Sequence, residues 1–243
     1  MNKLSNQLKE KATDLLFPKF CLGCQKEGTY LCQDCLHLLE IMEGNYCLCQ
    51  KPLPLPANSL SGKCRSCQDK RLSGLLFAMS YKNNIAKKLI RQFKYPPYLK
   101  DLSKTIASIL LEHFILCQKN KDIFWENSVL VAVPLHKKKI KTRGYNQSEE
   151  LAKELSVVLK VPVLLDVLIK TKQTKPQMEL SKEDRHKNLS DSFATANAEK
   201  IKNKKVFLVD DVYTTGSTME ECAKVLRKAG AKQVWGIAIA REE

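Results

Sequence analysis

Short apolar runs and amphipathic segments alternate through the last two thirds of the chain. Continuous apolar runs predict strands at 74–81, 128–134, 205–211 and 232–240. Apolar residues three and four positions apart predict helices at 83–93, 99–116, 147–160 and 218–229. Continuously apolar strands that alternate with helices are typical of a parallel sheet covered on both faces. The pattern therefore predicts an α/β domain over residues 71–243.

Two other patterns precede this domain. Residues 1–19 carry Leu4, Leu8, Leu15 and Leu16 at helical spacing, which predicts a short amphipathic helix. That helix either packs on its own protein or binds a membrane surface weakly. Residues 20–70 are rich in cysteine and too few to bury much surface, so a bound metal would supply their folding energy.

Eight of the ten cysteines lie between Cys21 and Cys67, and they come in pairs. Two residues between cysteines let both thiolates of a tight turn point at one metal, and two such turns make a tetrathiolate zinc site. The simplest combination joins neighbouring pairs into two sites. The first would be Cys21, Cys24, Cys32 and Cys35; the second would be Cys47, Cys49, Cys64 and Cys67.

A double zinc ribbon is thus the prediction for residues 20–70. The way in which the pairs combine, the number of zinc ions and the group that the thiols hold stay open. Cys47 and Cys49 are separated by one residue instead of two, so either one or two zinc ions are expected. A disulfide framework or an iron–sulfur cluster would use the same thiols. Cys117 and Cys222 stand alone in helical contexts and are expected to be buried as small hydrophobic residues.

Net charge and hydropathy indicate a basic protein without a membrane-spanning segment. The 243 residues carry a formal net charge of +15, which is typical of proteins that handle phosphate or nucleic acid, although a solvated lysine-rich surface has the same composition. No run approaches the ~20 apolar residues of a membrane helix. The N-terminus lacks the unbroken apolar core of a secretion signal, so we expect a cytoplasmic protein with reduced thiols.

The stretch KKVFLVDDVYTTGSTMEEC, from Lys204 to Cys222, carries the strongest chemical signal. An apolar strand ends on two aspartates, and a loop of hydroxyl residues with Gly216 then enters a helix. A helix N-terminus suits phosphate because its backbone N–H groups are free and carry partial positive charge. Ser217 and Thr218 each precede a glutamate by three residues, which offers two overlapping capping boxes.

The two aspartates indicate that the ligand contains another group besides phosphate. Asp210 and Asp211 would repel a phosphate, but they suit ribose hydroxyls and a magnesium ion on a diphosphate. A phosphorylated ribose is therefore the predicted ligand. The alternative, in which the threonines merely cap a helix, leaves the aspartates unexplained.

VFLVDDVYTTGST resembles the 5-phosphoribosyl-1-pyrophosphate (PRPP) signature of type I phosphoribosyltransferases. The resemblance implies that the acidic pair holds the ribose hydroxyls and that the following loop holds the 5-phosphate. The implied PRPP-binding residues are Asp210, Asp211, Thr214, Thr215, Gly216, Ser217 and Thr218. Purine-salvage members that use hypoxanthine and guanine carry an aspartate where Thr214 stands, so the resemblance argues against that acceptor.

A second loop of that family contacts pyrophosphate, and VAVPLHKKKIKTRGYNQ (131–147) fits its place. Its cations would attract a diphosphate, although a lysine run can also be simply solvated. The pyrophosphate-loop candidates are Lys137, Lys138, Lys139 and Arg143, with Lys141 in the same stretch.

Nearly the whole chain resembles the ComF family of competence proteins, through the cysteine pairs, FKY (93–95), PLH…RGYNQ, R..N...F (Arg185, Asn188, Phe193) and LVDDVYTTGST. That family implies a small zinc ribbon before a type I phosphoribosyltransferase-like sheet with flanking helices. It also implies a role in DNA uptake during natural transformation, with Zn²⁺, and Mg²⁺ with PRPP, as cofactors. The implied partners are PRPP, single-stranded DNA, and a competence helicase or other DNA-uptake proteins, at the inner face of the membrane.

Single-stranded DNA has its own candidate surface. Cations follow a phosphate backbone while exposed aromatic rings stack on bases, and residues 82–104 interleave the two. The DNA-binding candidates are Lys87, Lys88, Arg91 and Lys94, with Phe93, Tyr95 and Tyr98 as the aromatics. The rings can instead pack inward. An active phosphoribosyltransferase on an unidentified acceptor and a PRPP-sensing regulator remain alternatives, and no catalytic residue is assigned.

Overall fold

The computed structural model describes residues 17–56, 61–117, 119, 122–172 and 191–242. The predicted N-terminal helix, with Leu4, Leu8, Leu15 and Leu16, lies outside these residues, as do Arg185 and Asn188 of the family pattern.

Seven strands form one sheet, and two form a separate ribbon, in the part of the chain that the structure describes. The sheet strands are β1 (Asn45–Tyr46), β2 (Pro54–Leu55), β3 (Gly74–Ser80), β4 (Ser128–Ala132), β5 (Val163–Leu164), β8 (Lys205–Tyr213) and β9 (Gln233–Arg241). The ribbon strands are β6 (Leu168–Lys170) and β7 (Phe193–Thr195). The sheet order is β2-β1-β3-β9-β8-β4-β5, with β3, β9, β8, β4 and β5 parallel. The predicted parallel sheet is confirmed.

Helices cover both faces of this sheet. They are α1 (Gln33–His37), α2 (Asn84–Lys94), α3 (Leu102–Leu116), α4 (Asp122–Trp125), α5 (Lys137–Arg143), α6 (Gln147–Leu159) and α7 (Ser217–Lys228). Helices α2, α3 and α6 pack against one face, while α7 and the β6–β7 ribbon cover the other. None of the described helices is both long and apolar enough to span a membrane.

The apolar run of β8 explains why this strand lies near the centre of the sheet. Val206, Phe207, Leu208 and Val209 have no exposed surface. Phe207 and Val209 point into one core cluster, and Val206 and Leu208 into the other. Burying each side chain contributes roughly 1.5–3 kcal/mol, so the strand has to be covered on both faces.

The cysteine-rich segment joins the main sheet directly. Strands β1 and β2 form an antiparallel hairpin within it, and Tyr46 of β1 pairs with Leu75 of β3. The sheet is therefore continuous across residue 70, where the sequence divides by composition. The division into domains at that residue stays a prediction.

Several elements differ from the sequence pattern. Strand β8 runs beyond the predicted end at residue 211 to Tyr213, because β9 continues to pair with it. The predicted pyrophosphate loop contains a short helix, α5. Strands β5, β6 and β7 were not predicted, because two or three residues are too few to show a period.

Candidate functional site

The carboxyl ends of β4 and β8 lie side by side, and we call the region beyond them the crevice. From β4 the chain passes to β5 on one side, and it returns as β8 on the other. Ligands of open parallel sheets bind where the connections diverge in this way. The β4–β8 pairing ends at Ala132 and Val209, so Asp210 and Asp211 lie just past the end of β4.

Both carboxylates are held by short contacts. Oδ1 of Asp210 accepts from the backbone N of Asp211 at 2.9 Å and from Oγ of Ser148 at 3.1 Å. Oδ1 of Asp211 accepts from the backbone N of Val212 at 2.7 Å and from Nζ of Lys94 at 2.9 Å. Burial and the adjacent charge of Asp211 raise the pKa of Asp210, while Lys94 opposes that shift.

Lysines from three different elements surround the acidic pair. Burial alone would lower the pKa of Lys94, but the carboxylate of Asp211 raises it above its ordinary value. Partial loss of solvent and the charges of Arg143 and Lys94 lower the pKa of Lys139. Burial and Lys139 lower the pKa of Lys170, which β6 carries toward Asp210. Crowded cations of this kind favour binding of an anion.

The hydroxyl loop enters α7 through Gly216. Its φ of +78° is left-handed, and a Cβ at this position would collide with the ring of Tyr213, so glycine is needed on both grounds. Oγ1 of Thr215 lies 2.8 Å from Oγ of Ser217. Thr214, Thr215 and Thr218 are half-buried, and Ser217 is buried.

The predicted capping boxes at Ser217 and Thr218 are wrong. Gly216 is the N-cap of α7, and it supplies no side-chain cap. Glu220 instead accepts from the backbone N of Arg71 at 2.7 Å, and Glu221 accepts from the backbone N of Asp191 at 3.1 Å. The two glutamates tie α7 to neighbouring segments and leave its first turn to the hydroxyl loop.

Helix α5 presents the predicted pyrophosphate-loop cations unequally. Lys137, Lys138, Lys139 and Lys141 are exposed, and Arg143 is half-buried. Partial loss of solvent and the charges of Arg143 and Lys94 lower the pKa of Lys139, and the charge of Asp211 opposes them. The helix begins after His136 and ends at Gly144, whose φ is +84°. The assignment of these cations to a pyrophosphate loop stays a prediction.

The RGYNQ and FKY motifs contact each other, which the sequence alone did not indicate. Oη of Tyr145 donates to the carbonyl O of Phe93 at 2.6 Å, and Nε2 of Gln147 donates to the same oxygen at 3.2 Å. The guanidinium carbon of Arg143 lies 6.0 Å from the ring centroid of Tyr95. These contacts place the end of α2, with Lys94, at the crevice.

The DNA-binding candidates on helix α2 lie in two different places. Lys87, Lys88 and Arg91 are exposed on its surface. Lys94 belongs to the crevice, since it forms the ion pair with Asp211. Among the predicted stacking rings, Phe93 is 1% exposed, whereas Tyr95 is 47% exposed. Tyr95 is the better placed of the two to stack on a base.

The eight clustered cysteines form two tetrads, in the combination predicted from neighbouring pairs. In each tetrad the ligand atoms lie within 4.8 Å of one another. Sγ of Cys21 and Sγ of Cys24 both lie 3.6 Å from Sγ of Cys32, and Sγ of Cys49 lies 3.5 Å from Sγ of Cys64.

These distances test the fit of a metal. Tetrahedral zinc with Zn–S bonds of about 2.3 Å sets its sulfurs about 3.8 Å apart, whereas a disulfide sets them about 2 Å apart. Both tetrads match the first value, so both could hold zinc. The short spacing between Cys47 and Cys49 does not prevent their thiols from meeting in one tetrad. Cys117 and Cys222 are buried, as expected.

The comparisons with known proteins agree with this geometry. Competence protein F of Haemophilus influenzae is 42% identical over 153 residues, which are 62% of this chain and 66% of that protein. DNA utilization protein YhgH of Escherichia coli K12 is 30% identical over 149 residues, 60% of this chain and 64% of that protein. The chain thus spans just under two thirds of the length of these two relatives.

Competence protein ComFC of Streptococcus pneumoniae aligns over more of its length. It is 29% identical over 228 residues, which are 89% of this chain and 90% of that protein. Residues 113–241 match the family described as the phosphoribosyl transferase domain. They include α6, β8 and the hydroxyl loop, and cover more than half of the chain. This chain therefore belongs to the phosphoribosyl transferase domain family and is a homologue of competence proteins F and ComFC.

Proposed function

We propose that this protein binds PRPP with magnesium at the crevice between β4 and β8, and that it acts in DNA uptake. The observation that carries the proposal is the pair Asp210 and Asp211, placed between the hydroxyl loop and the cations of α2, α5 and β6. In a ligand with both ribose hydroxyls and phosphate groups, the hydroxyls can donate to the aspartates and the phosphates can bind the hydroxyl loop and the cations.

Each part of the ligand has a set of residues. Asp210 and Asp211 accept from the ribose hydroxyls, and the loop from Thr214 to Thr218 holds the 5-phosphate at the start of α7. Lys139 and Arg143 hold the pyrophosphate, with Lys94 and Lys170 adding positive charge. Magnesium, held on the diphosphate beside the two aspartates, would neutralise part of its charge.

The metal centres have a structural part in this proposal. Each tetrad holds one zinc ion, because its four thiols lie at tetrahedral spacing. The first tetrad, which packs against few apolar residues, depends most on the metal for its folding. Zinc supplies folding energy at both sites, which are closed by four protein ligands each.

The DNA part rests on the relatives and on one surface of α2. The relatives are named for competence and for DNA utilization. Lys87, Lys88 and Arg91 form an exposed cationic surface, and Tyr95 lies exposed beyond them. We infer weak binding of single-stranded DNA without sequence preference. We place the protein in the cytoplasm at the inner face of the membrane, with a competence helicase or another DNA-uptake protein as its partner.

Thermal unfolding with and without magnesium-PRPP tests the ligand. PRPP should raise the melting temperature, because a ligand selective for the folded state stabilises it. The variant Asp210→Asn with Asp211→Asn should lose that shift. Asp101→Asn, on the exposed start of α3, should keep it. An unchanged shift in the double variant would overturn the assignment.

Fluorescence anisotropy with labelled oligonucleotides tests the DNA surface. Reversal of charge at Lys87, Lys88 and Arg91 should weaken binding, and binding should fall steeply as salt rises. The matched control reverses Lys202, Lys228 and Lys232, which are exposed near the amino ends of β8 and β9. Equal loss in both triple variants would show a non-specific effect of net charge and reject the α2 surface.

Catalysis is the second candidate function, and the exposed ring of Tyr95 beside Arg143 favours it, since this pair offers a flat surface to an aromatic acceptor. Pyrophosphate release from PRPP with pooled acceptors separates the two functions. Acceptor-dependent release indicates a phosphoribosyltransferase. PRPP binding without release indicates a binding protein or a PRPP-sensing regulator.

A further inference from the structure

Arg241, at the end of β9, is a charged side chain with only 1% of its surface exposed. Its Nη1 donates to the carbonyl O of Cys47 at 2.7 Å, and its Nη2 donates to the carbonyl O of Cys49. Burying a guanidinium group is costly unless its charge is matched. The proposed binding of PRPP does not by itself explain why it lies there.

One side of Arg241 faces the second cysteine tetrad. Cys47 and Cys49 supply the two carbonyl groups and also two of the four thiols. A zinc ion with four thiolates has a formal charge of −2, and a guanidinium group next to it provides a countercharge. The first tetrad packs instead against Leu31 and Ile85.

The other side of Arg241 faces the hydroxyl loop. Arg241 pairs with Tyr213 across β8 and β9, and its guanidinium carbon lies 5.3 Å from the centroid of that ring. The ring of Tyr213 in turn packs so closely on Gly216 that a Cβ there would collide with it. Gly216 is the N-cap of α7, so the Tyr213 ring packs directly on the residue that precedes the amides proposed to bind phosphate.

We propose that Arg241 is a positioning residue that couples the second tetrad to the phosphate loop. Metal at the tetrad fixes the carbonyl groups of Cys47 and Cys49, which fix the guanidinium group, and Arg241 then holds Tyr213 against Gly216. The proposal rests on the proposed function, because it requires zinc at the tetrad and PRPP at the loop. Linkage makes the coupling of binding free energies reciprocal, so PRPP must raise the affinity of this tetrad for zinc. We expect the tighter binding to slow the loss of zinc.

The rate of zinc transfer to a coloured chelator, with and without magnesium-PRPP, tests the coupling. The wild-type chain should release two zinc ions, and PRPP should slow one of them by roughly fivefold or more. Cys24→Ser, which removes a ligand of the first tetrad, should leave a single slow zinc ion whose release still responds to PRPP.

Variants of Arg241 separate positioning from simple support of the fold. In Arg241→Met, both zinc ions should bind, but the ratio of release rates without and with PRPP should fall to about one. A purely structural role would speed release by the same factor in both conditions and leave the ratio unchanged. Tyr213→Leu, which leaves the tetrad and the two carbonyl groups intact, should also give a ratio of about one.

The outcomes distinguish this proposal from the proposed function. If the zinc-loaded wild-type chain binds no PRPP, the proposed function is overturned and the coupling with it. If it binds PRPP but the rate of zinc release does not change with PRPP, the coupling alone is overturned. A wild-type ratio in Tyr213→Leu, which does not depend on how well Arg241→Met folds, also overturns it.

Discussion

Nζ of Lys94 lies 2.9 Å from Oδ1 of Asp211, and this ion pair joins the end of α2 to the end of β8. The two residues are 117 positions apart in the chain. Both are mostly shielded from solvent, so the pair is screened less than a surface ion pair. It keeps a cation beside the two acidic groups at which we propose that an anionic ligand binds.

Replacing Lys94 should weaken PRPP binding without weakening the fold greatly. In Lys94→Met the two aspartates lose a balancing charge and repel the phosphates, so we expect the dissociation constant to rise roughly tenfold or more. Titration calorimetry measures this. Lys87→Met, on the exposed face of the same helix, is the control and should bind PRPP as the wild type does.

Gly216 and Gly144 offer a matched pair of glycine substitutions. Both have a positive φ, but a Cβ at Gly144 meets nothing within 4 Å, whereas one at Gly216 collides with Tyr213. Gly144→Ala should therefore cost only the backbone strain of about 1 kcal/mol. Gly216→Ala should cost at least about 1 kcal/mol more and should lose PRPP binding. Equal free energies of unfolding for the two variants would contradict the close packing on Tyr213.

Zinc content should follow the two tetrads. Metal analysis of the protein purified under reducing conditions should give two zinc ions per chain, one for each tetrad. Cys21→Ser should lower this to one and destabilise the N-terminal segment, because an incomplete ligand set binds zinc poorly. Cys222→Ser, on the buried face of α7, should keep both ions. Iron–sulfur absorption or a metal-free protein would refute the zinc assignment.

His113 should make the fold sensitive to acid. Its Nδ1 lies 2.6 Å from the carbonyl O of Met42, and burial lowers the pKa of His113 to about 4, which the Met42 carbonyl opposes. The unfolded chain takes up the proton near pH 6.5, but the folded chain does so only near pH 4. The stabilising effect is therefore complete above pH 6.5 and is lost as the pH falls toward 4.

By about pH 4 the loss in the free energy of unfolding amounts to roughly 3 kcal/mol. Denaturant unfolding of His113→Gln between pH 7 and pH 4 should show a smaller loss of stability than the wild type. His37→Gln, on an exposed part of α1, should follow the wild type. Parallel curves for all three proteins would show that His113 does not govern the acid response.

Local patterns were sufficient for some features and not for others. Cysteine spacing predicted both tetrads, and the apolar run before Asp210 predicted the central strand, because these signals lie within a few residues of sequence. Lys94 was assigned to a DNA surface, because helical spacing cannot show that the end of α2 reaches Asp211. Lys170 and Arg241 gave no signal, since each acts through partners far away in sequence.

The hairpin of β1 and β2 also protects the rest of the sheet. Without it, β3 would be an outer strand, and its backbone groups near Leu75 would be open to pairing with another chain. A protein shortened to residues 71–243 would thus expose an apolar, unpaired edge strand. We therefore expect the cysteine-rich segment to reduce aggregation, whatever it binds. Its removal should yield oligomers instead of a monomeric domain.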